Sequence, residues 1–118
     1  MKREDHMKLI VKAQQKVGNL PFKERGIMIT CELIEITMKI LNKEPNRTLP
    51  QNCRNDIREK TPDGLDRRLK EYYMDHLRRA NIISDVLALS GIVDIIQTEN
   101  PSTGNIVQGT RLRQYWCW

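Results

Sequence analysis

The chain has 118 residues, of which 30% are charged and 39% hydrophobic, and its formal net charge is +5. This composition is typical of one soluble globular domain and excludes a disordered tail. The chain is too short to form two domains that each have a well-packed hydrophobic core. No apolar run reaches the length of a signal peptide or a membrane span, so we expect an intracellular, soluble protein with no membrane partner.

The cysteines and the charge distribution narrow the class of protein further. Cys31, Cys53 and Cys117 are odd in number and widely spaced, so we expect reduced thiols rather than a disulfide framework or a metal site. Residues 1–60 hold 13 Lys and Arg against 8 Asp and Glu, whereas residues 61–118 hold seven of each. A basic balance without any long Lys/Arg run gives weak support for a nucleic-acid partner.

The first half of the chain is predicted to be helical. Residues 1–22 read as an amino-terminal helical extension with Gly18 as its stop. A second helix is predicted from about Lys23 to Asn42, with two apolar stripes that lie almost opposite each other. A helix that is apolar on two sides is either central to the fold or uses one stripe as a subunit interface. The pattern therefore predicts either a homodimer through residues 27–41 or a tight fit against the amino-terminal helix. The two stripes are Ile27, Cys31, Ile34, Met38 and Leu41, and Ile29, Leu33, Ile36 and Ile40.

The middle of the chain predicts further helices. The segment Thr48-Leu49-Pro50-Gln51 has the pattern of a capping box with proline in the first turn, so a short helix is predicted from there to about Lys60. A helical pattern returns from Leu65 to Ser90, and the sequence leaves open whether it is one helix or two. We predict two, with a tight turn near Arg79 and Asn81 as the cap of the second.

The end of the chain predicts a β-hairpin. Its strands are expected at 92–97 and 106–113, after Gly91 has ended the last helix, and the connection "ENPSTGN" suits a type I turn with Gly104 at positive φ. Because side chains alternate along a strand, Ile106, Thr110 and Leu112 should point to one face. Arg111 and Arg113 should then point to the other.

Helices followed by "RRANIISDVLALSGIVDI" and a hairpin with a polar tip resemble the winged-helix superfamily, over about Lys23 to Trp116. The resemblance implies a mostly α-helical fold with a small β-hairpin: a winged-helix domain at 23–118 after an extra amino-terminal helix at 1–22. It also implies a recognition helix that enters the major groove of DNA, and a wing that meets the neighbouring phosphates or minor groove.

Carried onto this chain, the resemblance implies DNA contacts from the start of the last helix and from the hairpin. Arginine and asparagine are suited to base edges, and hydroxyl and amide side chains at the tip are suited to phosphates. If the last helix begins earlier, basic residues upstream join this surface. The predicted DNA-binding residues are Arg67, Arg68, Lys70, Arg78, Arg79, Asn81, Ser84, Ser102, Thr103, Asn105, Arg111 and Arg113.

Two functions follow from this interpretation. The first is sequence-specific binding of double-stranded DNA, as a small transcription regulator or as the DNA-recognition module of a larger enzyme such as a restriction endonuclease. The second is a protein-interaction winged helix that acts as a subunit of an assembly without reading DNA, which the balanced charge of residues 61–118 supports. We find no nucleophile–base pattern and no Gly-rich phosphate loop, so neither catalysis nor a cofactor is expected.

Overall fold

The computed structural model describes residues 20–51, 64–99 and 104–113. In chain order, these form strands β1 (Phe22–Glu24) and β2 (Ile27–Ile29), helix α1 (Cys31–Asn42), a 3-10 turn (Pro45–Arg47), strand β3 (Thr48–Pro50), helices α2 (Leu65–Tyr73) and α3 (Ala80–Leu89), and strands β4 (Val93–Glu99) and β5 (Ile106–Leu112). β1 pairs with β2, and the other three strands form a second antiparallel sheet in the order β3-β5-β4. The fold therefore combines helices with two small sheets, where one hairpin was predicted.

Most of two predicted helices lies outside the described residues. The structure does not describe residues 1–19 of the amino-terminal extension, or residues 52–60 of the short helix that was predicted to run to about Lys60.

The start of the predicted long helix is a hairpin instead. Arg25 and Gly26 both have positive φ, at 47° and 83°, and a two-residue turn with positive φ at both positions closes a tight hairpin. Ile27 and Ile29 are buried and Met28 between them is exposed, which is the alternation of a strand. The helix prediction was wrong here because isoleucines two apart also fit the helical stripes that continue beyond them.

Helix α1 begins only after this hairpin. Thr30 is its N-cap, in extended conformation, and the Thr30 hydroxyl accepts a hydrogen bond from the backbone N–H of Leu33 at 3.1 Å. Ile34, Met38 and Leu41 of the first stripe are buried, Cys31 at its start is exposed, and Ile36 and Ile40 of the second stripe pack half-buried against the same core. Packing within one chain thus accounts for the two-sided pattern that predicted a homodimer through residues 27–41.

The segment Thr48–Pro50 is an edge strand, so its prediction as a helix start was wrong. Its residues pair with β5, Thr48 opposite Arg111 and Pro50 opposite Gly109. Proline is tolerated in a strand at a sheet edge, where its missing N–H is not needed. Gly109 permits the close approach, because a Cβ at that position would meet Thr98 Cγ2 and lie 3.1 Å from the Leu49 carbonyl oxygen.

The prediction of two helices between Leu65 and Ser90 is confirmed. Helix α2 ends at Met74, which has left-handed backbone with φ 55°, and α3 starts at Ala80. Asn81 lies inside the first turn of α3 and Arg79 holds the N-cap position without a side-chain cap, so Asn81 was wrongly predicted as the cap. The predicted hairpin is also confirmed as β4 and β5, and Gly91 and Gly104 have φ of 77° and 74°.

The three-stranded sheet has one face toward the core and one toward solvent. Val93, Thr110 and Leu112 are fully or almost fully buried on the inner face, beneath α3. Arg111 and Asp94, which lie opposite each other in the register, are on the outer face. The predicted alternation along β5 is therefore present from Thr110 to Leu112, whereas Ile106 near the hairpin tip is exposed.

A buried polar junction joins α3 to the sheet. The hydroxyls of Ser84 and Thr110 are 2.6 Å apart, and Gln51 Nε2 donates to Thr110 Oγ1 at 3.0 Å. All three side chains are buried, so the hydroxyl of Thr110 satisfies two polar groups that would otherwise be without a partner in the interior. The junction fixes how α3 lies across β5.

We expect Thr110→Val to lower the free energy of unfolding by about 2 kcal/mol, because it leaves the side chains of Ser84 and Gln51 buried and unpaired. Urea denaturation followed by circular dichroism measures this. Thr98→Val on β4 lies outside the junction and should change stability by less than about 0.5 kcal/mol. Equal stability of Thr110→Val and the unmutated protein would show that the junction contributes nothing.

Candidate nucleic-acid interface

The predicted contacts at the start of α3 are only partly on the surface. Ser84 is fully buried and bonded to Thr110, so the fold does not expose this predicted DNA contact at the surface. Arg79 is also buried: its guanidinium lies 4.0 Å from the centre of the Tyr73 ring, and two of its nitrogens donate to the Asp75 carboxylate at 2.8 and 2.7 Å. Arg79 therefore stabilises the α2–α3 turn, and this predicted DNA contact is already engaged within the protein.

The Arg79 pair also perturbs the carboxylate that it holds. Hydrogen bonds from the Arg79 guanidinium, helped by the backbone N–H of Leu77, lower the pKa of Asp75 to about 2. The same bonds raise the pKa of Arg79. Both directions are those of a charge-assisted pair that favours its ionised form.

The basic residues of α2 are matched by carboxylates. Arg67 Nε lies 3.0 Å from Glu71 Oε1, and Lys70 Nζ lies 3.0 Å from Asp66 Oδ2, both one helical turn apart. Arg68 reaches Glu44, which lies between α1 and the 3-10 turn, at 2.8 Å. These three predicted DNA contacts therefore add little uncompensated positive charge to the surface.

The outward face of α3 carries an amide, a carboxylate and a leucine but no basic side chain. Asn81, Asp85 and Leu89 lie on it at spacings of four residues, and Leu89 is 80% exposed. Asp85 pairs with Arg25 of the β1–β2 turn at 2.7 Å. Arg78, just before α3, is exposed and has no carboxylate partner among the described residues, so it contributes the cation on this side.

Two of the predicted wing contacts, Arg111 and Arg113, lie apart from α3. Ser102 and Thr103 are outside the described residues, and Asn105 is exposed next to the tip. Arg111 and Arg113 lie on the outer face of the sheet, whereas α3 covers the inner face. The fold does not bring the predicted helix contacts and these two arginines together on one surface.

Arg111 and Arg113 instead line an open groove on the outer face, which we call the basic groove. Its volume is about 620 Å³. Across the sheet, Thr48, Arg111 and Asp94 form one row over β3, β5 and β4. The residues that line the basic groove are Asn46, Arg47, Thr48, Asp94, Arg111, Leu112 and Arg113.

Arg47 is the cation of the groove that the sequence analysis missed, and Asp94 is the carboxylate that it missed. Asn46 and Arg47 both have left-handed backbone, with φ of 55° and 54°, which turns the chain from α1 into β3. The Arg47 side chain donates twice to Asn42 Oδ1, at 3.3 and 3.2 Å, and once to the carbonyl oxygen of Arg113, at 2.8 Å. A guanidinium has five N–H donors, so two remain for another ligand, and both acceptors are neutral.

The charges of the groove do not cancel. Arg113 Nε lies 2.9 Å from Asp94 Oδ1, and Arg111 NH2 lies 3.3 Å from Asp94 Oδ2. Arg47, Arg111 and Arg113 with the single carboxylate of Asp94 leave a formal excess of two positive charges. Such a cluster can bind phosphate or carboxylate oxygens through paired N–H donors.

The described residues lack two other kinds of feature. They contain no helix that is both long and apolar enough to cross a membrane. They also contain no group of three His, Cys, Asp or Glu side chains placed to hold a metal ion.

The Asp75–Arg79 pair predicts how stability changes in acid. A carboxylate with a lowered pKa stabilises the folded state above its unfolded pKa, near 4, and this contribution is lost as pH falls toward about 2. Asp75→Asn should therefore flatten the loss of stability between about pH 4 and pH 2. Arg79→Gln should flatten it equally, because it removes the other half of the pair; urea denaturation at a series of pH values measures both. A slope unchanged in both variants would contradict this.

No family model, no curated protein and no solved structure matches this chain.

Proposed function

We propose that this chain binds double-stranded DNA, with the basic groove as its main contact to the phosphate backbone. The single observation that carries the proposal is that Arg47, Arg111 and Arg113 line one groove whose only carboxylate among the described residues is Asp94. Phosphate contacts by arginine dominate the affinity of proteins for DNA. Elsewhere on α2 and in the α2–α3 turn, the predicted basic residues are neutralised by carboxylates, apart from Arg78.

The construction of the groove suits a phosphate ligand. Arg47 is held in place by three hydrogen bonds to neutral oxygens, so little side-chain entropy is lost when it binds an anion. Arg111 and Arg113 stand two residues apart on one strand, on the same face, about 7 Å from each other. That separation is close to the spacing of neighbouring phosphates along one DNA strand, so the two arginines are suited to successive phosphates.

Sequence reading is assigned in this proposal to the start of α3. Helices α2 and α3 and the β4–β5 hairpin follow one another in the order that the winged-helix resemblance implies for a reading helix and its wing. Arg78 and Asn81 are exposed there, and these side chains pair with guanine and adenine, respectively, in the major groove. Such a domain would serve as a small transcription regulator, or as the DNA-recognition module of a larger enzyme such as a restriction endonuclease.

A second candidate function is protein interaction, as a subunit of an assembly. The observation that favours it is the outward face of α3, where Leu89 is 80% exposed and Asp85 carries negative charge. An exposed leucine beside a carboxylate is better suited to a protein surface than to a phosphate backbone. In this alternative the basic groove contacts an acidic protein, and the unmutated protein does not bind duplex DNA.

We expect Arg47→Gln and Arg113→Gln each to weaken duplex binding roughly five- to tenfold near 0.1 M salt and to reduce the salt slope by about one unit. Each variant removes one phosphate contact, so the effect should be the same for duplexes of any sequence. Fluorescence anisotropy with a random duplex, from low to physiological salt, measures both quantities.

Lys23→Gln provides the matched control for the loss of one positive charge. Lys23 is exposed on β1 and does not line the basic groove, so its variant should keep nearly the unmutated affinity. No binding by the unmutated protein at about 50 mM salt, where electrostatic contacts are strong, would refute DNA binding and favour the protein-interaction function.

Asn81→Ala tests sequence reading separately from phosphate contact. If Asn81 contacts adenine, the variant should lose roughly 1–3 kcal/mol on the preferred site, while binding to random duplex and the salt slope remain nearly unchanged. The preferred site is first selected from a random duplex library with the unmutated protein. Equal losses of affinity on the preferred and the random duplexes would show that Asn81 on α3 does not contact bases.

A further inference from the structure

We infer that Asp94 is an internal competitor of phosphate: its carboxylate occupies Arg111 and Arg113 in the unliganded protein and limits how tightly the basic groove binds an anion. The inference rests on the proposed function for the identity of the natural ligand. It goes beyond that function in assigning a carboxylate of the groove, rather than an arginine, the role of setting affinity.

The geometry places Asp94 where an anionic ligand would bind. Both of its oxygens are engaged, Oδ1 by Arg113 Nε at 2.9 Å and Oδ2 by Arg111 NH2 at 3.3 Å. Carboxylate and phosphate present similar pairs of oxygens to a guanidinium. A phosphate that approaches Arg111 and Arg113 therefore meets donors that are already in use.

The exposure of the three side chains makes this contact displaceable. The side chain of Asp94 is 34% exposed, and those of Arg111 and Arg113 are 47% and 43% exposed. Solvent-exposed ion pairs contribute little to stability and are screened by salt. Exchange of one anion for another on these arginines thus disturbs no buried packing, in contrast to the Arg79–Asp75 pair, whose arginine is buried.

Arg47 differs from the other two arginines of the groove. Among the described residues, its side chain donates to Asn42 Oδ1 and to the Arg113 carbonyl oxygen, both of them neutral. An incoming phosphate can therefore contact Arg47 without displacing a carboxylate, and then compete with Asp94 for Arg111 and Arg113. Because the ligand must displace Asp94 after it has contacted Arg47, the basic groove should bind weakly charged anions poorly. Only a ligand with several negative charges offsets the loss of the Asp94 contacts.

Asp94→Asn is the variant that tests this inference, since it removes the charge with almost no change of shape. We expect it to bind random duplex roughly three- to fivefold more tightly than the unmutated protein, the range of an exposed ion pair. Inorganic pyrophosphate, measured by isothermal titration calorimetry, should show the same direction. Glu24→Gln is the matched control: Glu24 pairs with Arg25 on β1–β2, outside the groove, and its loss should leave both affinities nearly unchanged.

A double-mutant comparison separates competition from a general gain of positive charge. In the Arg111→Gln, Arg113→Gln background, Asp94→Asn should no longer tighten binding, because the arginines that it releases are absent. If Asp94→Asn lowers the unfolding midpoint so that it cannot be titrated, Asp94→Thr replaces it, since threonine is neutral and suited to a strand.

The outcomes distinguish this inference from the proposed function. Tighter binding of duplex and pyrophosphate by the folded Asp94 variant supports the inference, whereas equal or weaker binding overturns it. If the unmutated protein binds no duplex, DNA binding fails, and pyrophosphate alone then decides the role of Asp94. Failure of both the unmutated protein and the variant to bind pyrophosphate or duplex overturns both proposals.

Discussion

The central strand β5 is the constraint on which the other elements depend. Its alternation places Thr110 and Leu112 in the core and Arg111 and Arg113 on the outer face, so the same strand positions α3 on one side and forms the groove on the other. A shift of the pairing by one residue would exchange the two faces, burying the arginines and exposing the core side chains. The buried junction with Ser84 and Gln51 opposes such a shift, because Thr110 is the common partner of both side chains.

The excess positive charge of the groove arises from chain topology rather than from a basic segment. Arg47 comes from the turn before β3, Asp94 from β4, Arg111 from β5 and Arg113 from the residue directly after β5, and pairing of the three strands brings them together. Within α2, in contrast, neighbours one turn apart neutralise each other, as Lys70 and Asp66 do. Local sequence patterns therefore placed the predicted cations on helices, whereas the fold leaves unbalanced charge at the sheet.

Elements that are defined by neighbouring residues were predicted correctly from the sequence, whereas those that depend on distant partners were not. The helices on either side of Arg79 and the hairpin at the end were predictable because turn residues and short-range periodicity define them. Ile29 was misassigned because its spacing fits both periods, and the strand of Thr48 was missed because its partner lies more than 60 residues away. The roles of Ser84 and Arg47 depend on such distant partners too, Thr110 for one and the Arg113 carbonyl for the other, so no local pattern could indicate them.

The separation of the two faces constrains how this protein would bind a duplex. Contacts from the basic groove would carry no sequence information, because phosphates are the same at every base pair. Discrimination would then depend on Arg78 and Asn81 at the start of α3, whose other outward residues, Asp85 and Leu89, favour neither bases nor phosphates. In the proposed function, affinity thus comes mainly from the outer face of the sheet and specificity from a few side chains on the other side of the fold. Such a division predicts a protein whose binding depends strongly on salt and only modestly on sequence.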